Sequence, residues 1–177
     1  EHIMTSKLPA GTSYRLALIS DVHLGRILGR SYAEKLVQRV NQLEPDAVLI
    51  AGDLIDEKIA YVQEENSLEA LAHFNAPKGV YLAFGNHEYI DDHLRWQALV
   101  EENGIKVLRD ASTVIDGRLK ITGLSDFRFS KGKGPKAIQT LAWENNKYFS
   151  VLIDHQPRRM GGAAHLGYDL YLSGHTH

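Results

Sequence analysis

Ala47-Val48-Leu49-Ile50-Ala51-Gly52-Asp53 is a run of five apolar residues closed by a glycine and an acid, and it sets the reading of the chain. A strand this short and this apolar is buried on both faces, as in a parallel sheet covered by helices. Two more runs have the same form: residues 14–20 lead into Asp21-Val22-His23, and residues 80–84 lead into Gly85-Asn86-His87-Glu88. Between the strands, helical spacing predicts a helix over 32–43, where Leu36, Val37, Val40 and Leu43 recur before Pro45, and two more over 64–74 and 92–103. From Ile105 the strands are closely spaced, at 105–108, 113–116 and 118–124. The last two meet at Asp116-Gly117, a hairpin pair that predicts antiparallel pairing. A polar loop, Lys131-Gly132-Lys133-Gly134-Pro135-Lys136, leads into a helix reaching Asn145. Strands over 148–153 and 168–172 follow, with a short segment over 158–165 between them. Strand and helix alternate throughout, so the fold class is α/β.

Composition narrows the chemistry. The chain has 177 residues, 44% of them hydrophobic, a formal charge of −2, nine histidines and no cysteine. That suits one domain. The near-neutral balance, with no long basic run, indicates no specific nucleic-acid binding, and no apolar stretch reaches the length of a membrane span. Without cysteine there is no disulfide framework, no thiolate zinc site and no Cys nucleophile. Any metal must be held by His, Asp, Glu or Asn.

Five histidines sit just past strands, in Asp21-Val22-His23, Gly85-Asn86-His87-Glu88, Asp154-His155 and Gly174-His175-Thr176-His177. Gly52-Asp53 holds the matching place after the second strand. Ligands of an open α/β sheet bind beyond the carboxyl ends of its strands, so these clusters are expected to converge. Asp-x-His and Gly-Asp are each expected roughly once by chance in this composition, but Gly-Asn-His-Glu only about 0.002 times and Gly-His-Thr-His about 0.001 times. The two longer motifs carry the signal.

Taken in order, Asp-x-His, Gly-Asp, Gly-Asn-His-Glu, His and Gly-His-x-His closely resemble the calcineurin-like metallophosphoesterases over Leu18 to His177. Glu88 in place of the more usual aspartate, together with Asp154-His155-Gln156-Pro157, is similar to a bacterial branch whose members often carry a membrane segment ahead of the catalytic domain. The resemblance implies a layered β-sandwich flanked by helices, with a two-metal site at its edge. It implies one metal held by Asp21, His23, Asp53 and His177, a second by Asp53, Asn86, His155 and His175, and His87 beside them facing the substrate. Residues two apart in an extended segment project to one side, which would let Asp21 with His23, and His175 with His177, act as pairs. Carboxylate, imidazole and amide donors suit Mn, Fe or Zn. Two dications repel, and the Asp53 carboxylate together with a solvent hydroxide would bridge them. The net positive site that results favours an anionic phosphoryl group, so the expected reaction is hydrolysis of a small phosphoester, a phosphodiester before a monoester, with His87 orienting an oxygen or protonating the leaving group.

Plainer readings stand beside these. Asp21 and Asp53 could be turn residues after strands, Asn86 could supply a left-handed turn, and His155 could mark a loop before Pro157. His2, His73, His93 and His165 fall outside every motif and read as surface groups. Lys131, Lys133 and Lys136, like Arg158 and Arg159, could contact a substrate phosphate or simply face solvent. Residues 1–12 read as a leader or linker outside the fold, and 13–177 as the domain, lacking the C-terminal strands with which relatives complete the second sheet. A non-catalytic scaffold on the same fold is the alternative function. A flavodoxin-like ligand-binding domain would need a glycine-rich first loop, and Gly25 and Gly29 lack its spacing.

Overall fold

The computed structural model describes residues 2–130 and 134–176. Two four-stranded sheets pack face to face. The first contains β1 (Leu16–Ile19), β2 (Ala47–Ala51), β3 (Val80–Ala83) and β4 (Ile105–Val107), in that order and all parallel. Its crossovers are α1 (Arg30–Asn41), the pair α2 (Ile59–Glu64) and α3 (Ser67–Leu71), and α4 (His93–Glu102). The second sheet runs β5 (Ala111–Ile115), β6 (Leu119–Gly123), β7 (Phe149–Ile153), β8 (Leu170–Leu172), with α5 (Gly134–Leu141) and α6 (Met160–His165) in its crossovers. Among the described strands only β5 and β6 pair antiparallel, across Asp116 and Gly117, both at positive φ as a two-residue hairpin turn requires. The result is the α/β sandwich flanked by helices that the sequence implied.

Alternation along β2 shows why the sheets stack. Ala47, Leu49 and Ala51 face the second sheet and meet Leu119, Ile121, Val151 and Ile153, while Val48 and Ile50 face the helices with Val37, Val40 and Trp96. A strand with apolar residues on both faces can be satisfied only between two layers. On the far side of the second sheet, Leu152 packs with Ile138 of α5 and Ala163 of α6. Lys120, on that face of β6, is fully buried because its Nζ donates to the carbonyls of Leu141 and Trp143 and to Asn145 Oδ1, tying the end of α5 to the sheet.

Some expectations are corrected. The helix expected over 64–74 is confined to α3, because Asn66 takes a left-handed conformation (φ 51°) and separates it from α2, which begins at Ile59 and ends at Glu64. The strand at Ile105 joins the first sheet in parallel rather than the hairpin. Residues of the leader touch the domain: Leu8 packs against the core between the sheets, and Lys7 Nζ donates to Asn145 O and Asp169 Oδ2, both at 2.7 Å. Among the described residues no helix is long and apolar enough to cross a membrane.

Candidate metal centre

The clusters named from sequence do converge at the carboxyl ends of β1, β2, β3 and β7 and just past β8. Asp53 lies at the middle, 1% exposed. Three imidazoles approach its Oδ2: His155 Nε2 at 3.1 Å, His87 Nε2 at 3.8 Å and His23 Nε2 at 4.0 Å. Its Oδ1 accepts the backbone N–H of His87 at 2.9 Å. Two sets of donor atoms form around it, His23 with Asp53 and His87, and Asp53 with His155 and His175, each set within 4.8 Å. Asp53 belongs to both.

Local backbone explains the convergence, and differently from the expectation. Asp21, His23, Asp53 and His175 all have left-handed φ, between 50° and 69°. The Asp21 and His23 pair is therefore presented by two sharp turns and not by an extended segment. Such conformations disfavour residues with a Cβ and persist where surrounding bonds hold them. Here Asp21 N–H donates to Gly52 O at 3.1 Å and His23 N–H to Asp53 O at 3.0 Å, stitching the first loop to the second. Asn86, by contrast, is right-handed (φ −78°), so it is not a left-handed turn residue. The motif glycines answer to crowding. A Cβ on Gly85 would collide with the Asp53 carboxylate, and one on Gly174 with the Asp21 carboxylate.

Each site residue has a definite setting. His155 is fully buried, its Nδ1 donating to Ala51 O at 2.7 Å, its Nε2 3.2 Å from His175 Nδ1. Burial pushes its pKa down, but hydrogen bonds to Asp53 and to the Ala51 carbonyl prevail and raise it to about 9. Burial likewise pushes the Asp53 carboxyl up, and the bonds from His155 and the His87 N–H outweigh it, holding it below the ordinary range. Asp21 accepts the backbone N–H of His175 with both oxygens, at 3.1 and 3.0 Å, and among the described residues it is in neither donor set. His23 and His87 meet edge to face, centroids 4.7 Å apart. His177, Lys131 and Lys133 lie outside the described residues. Lys136 is exposed on α5. Arg159 is buried and bonded to Asp154 and Ser125 O, which commits it to the interior, whereas Arg158 is exposed. His73 and His165 are exposed, and His93 lies against Tyr89 with the rings tilted at 35°.

Two residues escaped sequence reasoning. Asp56 bonds to His87 Nδ1 through a short contact, and its other oxygen is 3.4 Å from His23 Nδ1. One carboxylate thus orients the His87 imidazole and lies close to that of His23. The available signal was Asp53-x-x-Asp56, two acids in the loop after one strand. Glu88 reads in the sequence as a mark of the family branch and no more, yet its buried carboxylate accepts three backbone N–H groups: Gly85 at 2.7 Å, Asp53 at 3.1 Å and Ile55 at 3.1 Å. It fixes two ligand-bearing loops against each other.

The donor set suits a cation. Asn86 Oδ1 is buried and accepts no hydrogen bond among the described residues. A buried amide oxygen without a donor is costly unless something positive meets it. With imidazoles and a shared carboxylate around it, a divalent cation would meet that need.

Comparison with known proteins agrees. The sequence profile of the family described as calcineurin-like phosphoesterase matches residues 14–177. The chain is 31% identical over 189 residues to a Danio rerio transmembrane protein with metallophosphoesterase domain, covering 99% of this chain and 43% of that protein. It is 32% identical over 182 residues to an uncharacterized metallophosphoesterase of Aquifex aeolicus, covering 99% and 67%. A Campylobacter jejuni protein, also named an uncharacterized metallophosphoesterase, is 33% identical over 92% of this chain and 44% of its own length. The chain thus spans about two fifths of several relatives it matches. One solved crystal structure superposes with a TM-score of 0.62 at 12% identity, over 92% of this chain and 84% of that one, a likeness of fold.

Proposed function

The chain belongs to the calcineurin-like phosphoesterase family, and from that premise we propose that it is a metal-dependent phosphohydrolase that cleaves a phosphodiester in preference to a monoester. The observation that carries the reading is the position of Asp53, which two donor sets share and whose Oδ2 three imidazoles approach. A single carboxylate oxygen so placed is what a two-cation site needs to offset repulsion.

In this reading Asp21, His23, Asp53 and His177 hold one cation, and Asp53, Asn86, His155 and His175 the other, with Mn, Fe or Zn as the fitting metals. Bound there, the cations would supply Lewis-acid charge and a solvent hydroxide as nucleophile near neutral pH. The chain's own part is positional and protic. Glu88 holds the loops of Asp53 and Asn86 in register through their backbone N–H groups. His155 is oriented by Ala51 O, the kind of outer bond that fixes a ligating imidazole. His87, 28% exposed and held at Nδ1 by Asp56, presents Nε2 toward Asp53 and solvent, where it can orient a phosphoryl oxygen or give a proton to the departing alkoxide.

Elemental analysis of the purified chain, combined with turnover of bis(p-nitrophenyl) phosphate against p-nitrophenyl phosphate, tests the reading. Two metals and faster diester turnover support it. Bound metal without turnover of either substrate makes the chain a scaffold.

A further inference from the structure

The turn that follows β6 sets one aromatic ring against Tyr89 and another under Arg158, residues two and three positions past His87 and His155. Asp126 begins it. Its buried carboxylate accepts Gln156 Nε2 at 2.8 Å, beside His155, and its backbone carbonyl accepts Phe129 N–H at 3.1 Å and Ser130 N–H at 2.9 Å, closing a tight loop. From this anchored loop the two phenylalanines diverge. Phe129 stacks on Tyr89, two residues past His87, with centroids 4.3 Å apart and planes at 7°. Phe127 lies under the Arg158 guanidinium, 5.3 Å from its centroid, three residues past His155. One short loop thus touches both segments that follow the His87 and His155 motifs.

Both rings stay open. Phe127 is 43% exposed and Phe129 42%. Because Tyr89 covers one face of Phe129, that exposure belongs to the other face and the edge. Phenylalanines fixed on a tight turn beside a polar centre, half in water, contribute little to the core, and their planar faces are what a flat ligand needs. An acyl chain would be served by continuous aliphatic surface, whereas here the rings alternate with exposed Arg128 and Arg158. That favours an electron-rich π system.

We propose that Phe127 and Phe129 form a specificity rim that receives a flat ester group of the substrate, an aryl or nucleobase moiety, by stacking, with Arg158 beside it. The proposal deepens the phosphohydrolase reading and rests on it for the position of the phosphoryl group.

The test uses the manganese-loaded chain and two probes that are not hydrolysed, phenylphosphonate and methylphosphonate, which differ only in the ring. Titration calorimetry should show the phenyl compound bound roughly three- to tenfold more tightly, the range expected of one aromatic contact. Phe127→Leu and Phe129→Leu should each bring that ratio toward one, and Phe129→Tyr should keep it. A wild-type ratio near one, no binding of either probe to the metal-loaded chain, or a ratio indifferent to the leucine substitutions overturns the rim, and the wild-type ratio decides this even if a variant fails to fold. Turnover of bis(p-nitrophenyl) phosphate in the same preparation separates the two ideas. Ring preference without turnover removes the hydrolase and keeps the rim, and turnover without ring preference does the reverse.

Discussion

The Nε2 of His155 lies 3.1 Å from Oδ2 of Asp53, the oxygen that two further imidazoles approach. The pairing holds a proton, since the His155 pKa is raised from 6.5 to about 9. The folded, metal-free chain keeps that proton where the unfolded chain releases it. Its contribution to stability is therefore complete below pH 6.5 and is lost as pH climbs through about 9. The thermal midpoint of metal-free protein should fall across that window, and His155→Gln should flatten the slope. Metal displaces the same proton, so calorimetric heats of metal binding should differ between buffers of unequal ionisation enthalpy. Identical heats would refute the pairing.

Glu88 has the opposite balance. Burial, then the charge of Asp53, push its pKa from 4.5 up to about 7, against the bonds from Ile55, Gly85 and Asp53. The folded state binds a proton that the unfolded chain has lost between those values, so stability falls with rising pH there as well. Glu88→Gln should remove that part of the slope. Glu88→Ala strands three buried N–H groups and should cost on the order of 3 kcal/mol in urea unfolding of metal-free protein. A loss within error of zero would show the loops to be held by other bonds.

Replacing Asp53 by Asn leaves the shape and removes the shared charge. Metal content and hydrolysis should fall together, because a neutral amide cannot offset the repulsion of two cations. Two metals per chain with full turnover in the variant would end the bridging assignment.

Asn86→Ala separates metal affinity from folding. In the metal-free protein the amide oxygen has no donor among the described residues, so its removal should leave the unfolding midpoint unchanged or raise it. Metal affinity should drop by about tenfold or more. Strong destabilisation without metal would point to a structural bond at Asn86.

His87→Asn should keep both metals and the fold while lowering turnover by roughly 10²- to 10⁴-fold, with a smaller deficit on good leaving groups that need little protonation. Asp56→Asn acts through His87 and should show a weaker form of the same dependence on leaving group. Since His87 Nε2 also falls within a donor set, elemental analysis decides the matter. Loss of metal in His87→Asn would make it a ligand, and equal deficits on good and poor leaving groups would favour positioning of the phosphoryl group.

Much of this was legible because β2, β3 and β7 are apolar on both faces, which few other structures tolerate, and because each ends in a short polar motif. What stayed hidden depends on bonds across the chain. Nothing local places Asp21 and His23 in left-handed conformations, which go with backbone bonds to Gly52 and Asp53. Asp56 and Glu88 went unread for the same reason. Their partners are an imidazole and three N–H groups far along the sequence or around a turn, so spacing alone assigns them no task.

Asp53 and Asn86 hang from the first sheet, and His155 and His175 from the second, so the proposed centre lies across the seam between layers whose core is a cluster of hydrophobic side chains. Apolar surfaces resist separation but resist sliding poorly. Ions gripped from both sides would act as a clasp at the edge of that seam, fixing how one layer is indexed against the other. The chemistry and the alignment of the two halves would then share a single point of failure, and a chelator would loosen the sandwich at the edge where substrate arrives.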